Sequence, residues 1–337
     1  MGKSRFNAGA GGRSMKLGVL TVLFQDKSLD ETLDIVKSLG LDAVELGTGN
    51  YPGNAHCNPD ELLADETKIA ELQRKLDEKG LIISALSCHG NPLHPQKEVA
   101  QQFHDTWRKT VLLAEKLGID CINVFSGCPG DSDQSLYPNW VTCAWPPDYL
   151  EILNWQWEQK LTPYWKEEAA FANQHHVSKI AFEMHPGFMV YNPETLLRLR
   201  EAVGNSIGAN FDPSHLLWQG IDPVEAIKLL GKHGAIFHAH AKDVYLDRTN
   251  IQRNGVLDTK PYGDIMNRSW TFRSVGYGMQ EATWKQIVSM LRVVGYDGVL
   301  SIEHEDALAS VEEGFAKAVE MLKRSILRES PGEMWWA

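Results

Sequence analysis

The chain has 337 residues, of which 43% are hydrophobic and 23% charged, and its formal net charge is −11. That length admits one large α/β barrel or two ordinary domains. The acidic balance, with no run of Lys or Arg, lacks the electrostatic footprint of a nucleic-acid partner, and no apolar stretch approaches a membrane span.

Residues 1–14, MGKSRFNAGAGGRS, are rich in Gly, Ala, Ser and basic residues and show no period. They are expected to be a flexible leader, followed by a single domain over 15–337. The N-terminus has no apolar segment of the secretory kind. Five cysteines, Cys57, Cys88, Cys121, Cys128 and Cys143, are odd in number and lack CxxC spacing. Reduced thiols and a cytoplasmic location are the expectation.

Short apolar runs then recur along the chain. The first four are KLGVLTVLF (16–24), DAVELGTG (42–49), IISALSCHG (82–90) and DCINVFSGC (120–128). KIAFEMHP (179–186), IGANFDPSH (207–215), AIFHAHAKD (235–243) and GVLSIEHED (298–306) follow. Amphipathic stretches such as LDETLDIVKSLG and DETKIAELQRKLDEKG separate them. Strands alternating with helices imply a parallel sheet with right-handed crossovers, and eight such units predict a (β/α)8 TIM barrel. An open doubly wound sheet is the competing fold, but no Gly-rich dinucleotide fingerprint follows the first strand. Two long loops are predicted, after strands four and seven. The first, from Pro129, carries several Trp and Tyr with a break at Pro146–Pro147; the second runs from Val244 to about Gly278. Both fall at the C-terminal face of the barrel, as lids, binding loops or a subunit interface.

Ionisable residues cluster at the ends of the last four strands. Strand five ends at Glu183 and His185, strand six at Asp212 with His215 beyond, strand seven carries His238 and His240, and strand eight ends at Glu303. Glu183 to Asp212 spans 29 residues and Asp212 to His240 spans 28, one β/α unit each; His240 to Glu303 spans 63, one unit plus the long loop. His238 and His240 share a strand face. His240 stands level with the three acids, and His238 lies one layer deeper, where packing or hydrogen bonding is its expected role. Any one of these acids has a bland explanation: Asp212, ahead of Pro213 and Ser214, can cap a helix. Lys242 can simply pair with Asp243. Four such residues at one barrel rim point instead to a metal site of Glu183, Asp212, His240 and Glu303. Three carboxylates and an imidazole suit one hard divalent ion, Mn²⁺ first, with Mg²⁺ or Co²⁺ as alternatives.

FEMHP, NFDPSH, HAKD and SIEHED, in that order and spacing, resemble the xylose-isomerase-like TIM barrel superfamily, the sugar phosphate isomerases and epimerases. The resemblance covers nearly the whole chain from Met15. It implies metal ligation by Glu183, Asp212, His240 and Glu303, and substrate contact by His215. The arginine that ketose 3-epimerases carry after the strand-seven histidine has no obvious counterpart; Arg248 and Arg273 are the substitutes at hand. Endonuclease IV belongs to the same superfamily, but its trinuclear zinc site needs further histidines. Here WTFRSVGYG has Trp270 and Phe272 where metal-binding Asp and His would stand.

The expected reaction is proton abstraction beside a sugar carbonyl, with Glu183 and Glu303 as the acid/base pair. His185, His215, Lys242 and His89 are the candidate substrate contacts. A lyase cleaving a 3-keto-glycoside, C- or O-linked, uses the same first step and is the alternative. A non-catalytic sugar-binding barrel is a third reading. The partner is then a small-molecule sugar or keto-glycoside. A homo-oligomer is expected, or else a hetero-oligomer with a small partner subunit; no nucleic acid and no membrane is.

Overall fold

Among the described residues ten strands form, eight of them from the predicted apolar runs. They are β1 (Lys16–Leu20), β2 (Ala43–Gly47), β3 (Ile82–Ser87), β4 (Cys121–Val124), β5 (Lys179–Glu183), β6 (Ile207–Phe211), β7 (Ile236–Ala241), β8 (Asp243–Leu246), β9 (Trp270–Arg273) and β10 (Val299–Ile302). In this computed structural model, which describes residues 14–329, Gly332 and residues 334–336, eight strands close a parallel barrel in the order β1-β10-β7-β6-β5-β4-β3-β2. The fold is the (β/α)8 barrel. Of the predicted leader, residues 1–13 lie outside the described residues.

Barrel strands are covered by helices outside and by one another inside, so they are buried on both faces. Every residue of β2 and β6 is buried. Apolar strand residues such as Val44, Leu46, Ile180, Phe182, Ile207 and Phe211 belong to the buried core, while the polar side chains Glu45, Ser87, Asn123, Asn210, His238, His240 and Ser301 are buried as well and bond one another. The helices start and stop where the local chemistry dictates. Ser28 and Glu31 form a reciprocal capping box ahead of Leu29–Ser38. Gly80, at φ +63°, takes the left-handed turn that ends Glu66–Lys79. No helix among the described residues is long and apolar enough to cross a membrane.

The predicted runs overshoot the strands at their C-terminal ends. The strand in IGANFDPSH stops at Phe211, Asp212 becomes a helix cap, and Pro213–Trp218 is helical. Proline at the first helical position fixes that boundary. The overshoot is the rim itself, where side chains leave the ladder and turn over the barrel mouth.

Neither long connection is a loop throughout, a correction to the sequence reading. After β4, irregular backbone ends at Pro147, and helix then runs through Asp148–Trp155, a π turn at Gln156–Leu161 and Thr162–Gln174. A proline inside a helix lacks an N–H and crowds the carbonyl one turn back; the wide π turn directly precedes Pro163. Two of the tryptophans of this stretch, Trp157 and Trp165, lie on the buried side of that helix. Trp165 is 1% exposed, donates from its indole to the Ser126 carbonyl at 2.9 Å and meets Phe182 edge-on. Trp157 is buried beneath the Arg198 guanidinium. These two tryptophans therefore serve the core and do not cover the mouth; Trp145 is 75% exposed. After β7 the chain forms an antiparallel β8–β9 ribbon with the helix Arg248–Asn254 between its strands.

Candidate metal centre and active site

β5, β6, β7 and β10 are consecutive around the barrel, so residues far apart in the chain meet at one rim. Glu183 ends β5, Asp212 follows β6, His240 lies in β7 and Glu303 follows β10. Each of the four offers a donor atom, and these atoms lie within 4.8 Å of one another.

The supports of each side chain differ. Glu183 Oε1 lies 3.0 Å from His215 Nε2, its Oε2 lies 3.0 Å from His89 Nε2, and Asn210 donates to it at 3.4 Å. Asp212 divides its carboxylate. Oδ1 accepts from the Ser214 N–H and hydroxyl at 2.8 and 2.7 Å, capping the short helix, while Oδ2 is buried with no hydrogen-bond partner. The capping reading and the ligand reading therefore use different oxygens. Glu303 Oε2 is likewise without a well-directed hydrogen bond, although His240 Nδ1 is 2.9 Å away and Lys242 Nζ 3.3 Å. His240 turns Nδ1 toward Glu183 and Glu303 and Nε2 toward Glu45.

Lys242 is buried and does not pair with Asp243. Its ammonium lies 3.5 Å from Asp212, 3.3 Å from Glu303, 3.2 Å from Glu305 and 3.2 Å from His215 Nε2. Asp243 points the other way and accepts from the backbone N–H groups of Gly276 and Met279 and from the Trp284 indole. Successive residues of an extended chain face opposite sides, so the pair is separated.

Isolated buried charges cost several kcal/mol each, roughly, and persist only in mutual compensation. Burial raises the Glu183 carboxyl, but contacts with His215 and His89 outweigh it and hold it well below the usual range. Burial likewise raises Glu303, and the Lys242 charge brings it down to about 2. Asp212 moves up to about 7, through burial and the like charges of Glu183 and Glu303, against the pull of Lys242. Burial lowers His240, yet the carboxylates of Glu45 and Glu303 hold it well above its ordinary value. His215 is pushed far down by burial and the Lys242 charge and is neutral.

The donor set fits a hard divalent cation: two buried carboxylate oxygens stand without hydrogen-bond partners beside a third carboxylate and an imidazole nitrogen.

Above this cluster lie the remaining candidates. His89 meets Phe125 edge-on at 4.6 Å, and Phe125 stacks on Phe188 at 4.3 Å. His185 sits 5.0 Å from Phe125 and 4.1 Å from His215 between ring centroids. On the other side Phe272 covers Lys242 at 4.5 Å and His215 at 5.3 Å. Of the two arginines considered for substrate contact, Arg273 is held by Asp306 at 3.1 Å and Arg248 is exposed at the start of its helix. His238 stays beneath, with Nδ1 2.9 Å from Asn210 Oδ1 and Nε2 3.1 Å from Ser84 Oγ.

The sequence reading missed Glu45, Asn123, Asn210 and Phe125. Glu45 is fully buried in β2 and belongs to a second group, with His238 and His240, whose donor atoms also fall within 4.8 Å. A signal was present. A carboxylate in the middle of AVELG, a strand buried on both faces, must have partners inside the barrel.

Residues 33–325 match the family model described as xylose isomerase-like TIM barrel. The chain belongs to that family. A curated relative, the uncharacterized protein YfiH of Bacillus subtilis, is 41% identical over 314 residues, covering 93% of this chain and 99% of that one. A D-tagatose 3-epimerase-like protein superposes with a TM-score of 0.61 at 20% identity, over 92% of this chain and 98% of its own. The probable 3-DHS dehydratase AsbF of Bacillus anthracis gives a TM-score of 0.61 at 17% identity, over 92% and 98%. The IOLI protein, solved with a binding zinc atom, gives 0.58 at 17% identity, over 92% and 96%. At these identities the three structures speak to the shared fold.

Proposed function

We propose that this protein is a divalent-metal-dependent sugar isomerase or epimerase. It would act by proton transfer at a carbon beside a carbonyl, through an enediolate. The observation that carries this reading is the convergence of Glu183, Asp212, His240 and Glu303 on one point at the barrel rim, with two buried carboxylate oxygens free of hydrogen bonds. Mn²⁺ is the ion we propose for the site, with Mg²⁺ and Co²⁺ as substitutes; the zinc-containing neighbour supports a divalent ion in this fold. An ion bound there supplies Lewis acidity toward the substrate carbonyl and offsets the negative charge of the enediolate. Glu183 and Glu303 act as the base and acid, one taking the proton from carbon and the other returning one. The Lys242 ammonium and His89, His185 and His215 orient the substrate's oxygens. Phe125, Phe188 and Phe272 flank the site and exclude water from the reacting carbon.

Incubating the Mn²⁺-loaded protein with keto-sugars in D₂O tests the reading. Deuterium is expected at the carbon next to the carbonyl even without net turnover. A protein that binds the ion yet exchanges no carbon-bound proton in any keto-sugar or 3-keto-glycoside is not such an enzyme.

A second reading, elimination from a 3-keto-glycoside, draws on the unequal surroundings of the two glutamates. The Glu183 side chain is 3% exposed and that of Glu303 is 15%. One base open to the substrate suffices for elimination. The base takes the proton beside the carbonyl, the enediolate expels the substituent on the next carbon with its bonding pair, and the departing group takes up a proton. The dehydratase among the structural neighbours is in keeping with such chemistry.

A homo-oligomer is proposed as the working form. On the segment after β4, Leu136, Tyr137 and Trp145 are between 63% and 75% exposed. Three large apolar side chains so exposed on one connection fit a subunit contact. Light scattering on the eluting protein is expected to give a multiple of 37.8 kDa. A monomer at micromolar concentration would rule the contact out.

A further inference from the structure

Glu45 stands across the barrel interior from His240 and reaches it with both carboxylate oxygens, each 3.0 Å from Nε2. It has no freedom to do otherwise. Oε1 also accepts from the Ser87 hydroxyl at 2.5 Å and from Asn123 Nδ2 at 2.8 Å, and Oε2 accepts from the Ser301 hydroxyl at 2.6 Å. Donors from β3, β4 and β10 thus pin a carboxylate carried on β2, and the remaining lone pairs meet an imidazole carried on β7. A carboxylate only accepts, so Nε2 must bear a hydrogen toward Glu45, and Nδ1 is the nitrogen left for a cation. The other nitrogen, Nδ1, then faces Glu303 Oε2 at 2.9 Å and Glu183 Oε2 at 3.4 Å, inside the group of four.

We infer that Glu45 is a positioning residue for the cation: it holds His240 in the Nε2–H form and aims Nδ1 at the centre formed with Glu183, Asp212 and Glu303. The inference rests on the metal reading above and deepens it. A carboxylate behind a ligating histidine fixes the ring's tautomer and rotation and raises its basicity. A second cation among Glu45, His238 and His240 is the competing role for the same residues. It is disfavoured because the Glu45 oxygens already take three other donors, and His238 is engaged by Asn210 and Ser84.

Two measurements on the full chain decide the matter. The first needs no variant: ¹⁵N-resolved NMR of the imidazoles in the protein loaded with Zn²⁺, a diamagnetic probe. His240 is expected to show a protonated Nε2, protected from exchange, and an ion-shifted Nδ1. Ligation through Nε2 would overturn the inference, as would a stoichiometry of two ions. The second is Mn²⁺ affinity by calorimetry. Glu45→Gln, folded by circular dichroism, is expected to bind Mn²⁺ about 10–100-fold more weakly, the typical cost of losing such a partner. Ser87→Ala removes a Glu45 partner that does not touch His240 and is expected to stay within about twofold of the parent protein. Equal affinity for Glu45→Gln and the parent overturns the positioning role. A parent that takes up neither ion, while the metal-free protein still shows the His240 Nε2–H, overturns the metal reading itself. The two failures are thereby told apart.

Discussion

Glu183→Gln and Glu303→Gln are each expected to lower turnover of the Mn²⁺-loaded protein by about 10²–10⁴-fold, the usual loss when an acid/base group is removed. The amide keeps the side chain's size and one carbonyl oxygen but carries no proton at neutral pH. Both variants also weaken the ion site, so rates must be compared at saturating Mn²⁺. The neighbours predict further differences. Glu183 accepts contacts from His89 and His215, so a glutamine there turns an NH₂ toward one of two imidazoles. Glu303 faces His240 and Lys242, so a glutamine leaves the ammonium to Asp212 and Glu305. In D₂O the variant lacking the base should neither exchange nor turn over. The variant lacking the opposing acid should still exchange the substrate's proton and yet fail to deliver the epimer. Elimination separates itself from this pattern: one glutamate is essential, the other tolerant, and a leaving group appears in solution. Near-normal rates in both variants would leave the glutamates as ligands only.

The barrel and its rim were legible because they follow from simple periodicities. Alternation within a strand set His240 on one face, and repetition of the β/α unit brought Glu183, Asp212 and Glu303 to the same level. What escaped was information that no single segment contains. Glu45 sits alone among apolar neighbours in AVELG, and Asn123 and Asn210 sit alone in CINV and GANF. Each is explained only by partners on other strands: Glu45 by β3, β4, β7 and β10, and Asn210 by Glu183 and His238. The helix over 148–174 was hidden for a local reason. Pro146, Pro147 and Pro163 punctuate a pattern whose apolar period is otherwise helical, and the π turn that accommodates Pro163 also shifts that period. For Lys242 the sequence left two roles open, a substrate contact and a pair with Asp243. The extended backbone closes the second of these, because it sends the two neighbouring side chains apart.

Uptake of the cation is expected to be coupled to proton release, with affinity falling steeply as the pH drops. In the metal-free centre His240 holds its proton well above the ordinary range because Glu45 and Glu303 flank it, against the cost of burial. Asp212 is raised to about 7 by burial and by the charges of Glu183 and Glu303, so it is half protonated near neutrality. A divalent ion needs the Nδ1 lone pair of His240 and the free oxygen of Asp212, so it competes with both protons. The sign follows from that competition: lowering the pH favours the protonated, metal-free site. Above about pH 7 only the His240 proton must leave, and affinity should change about tenfold per pH unit; below it two protons leave and the slope should approach about 100-fold per unit. Between about pH 8 and pH 6 the Mn²⁺ affinity is therefore expected to fall on the order of 10³-fold. Calorimetric titration in buffers of different ionisation enthalpy counts the protons directly. Asp212→Asn keeps an oxygen to cap Pro213–Trp218 but has no proton to release, so its affinity, weaker throughout, should follow the one-proton slope across the whole range. Affinity that is flat from about pH 6 to pH 8, or uptake without proton release, would mean that the ion does not displace protons from these two side chains. The cation would then have to be sought away from this centre.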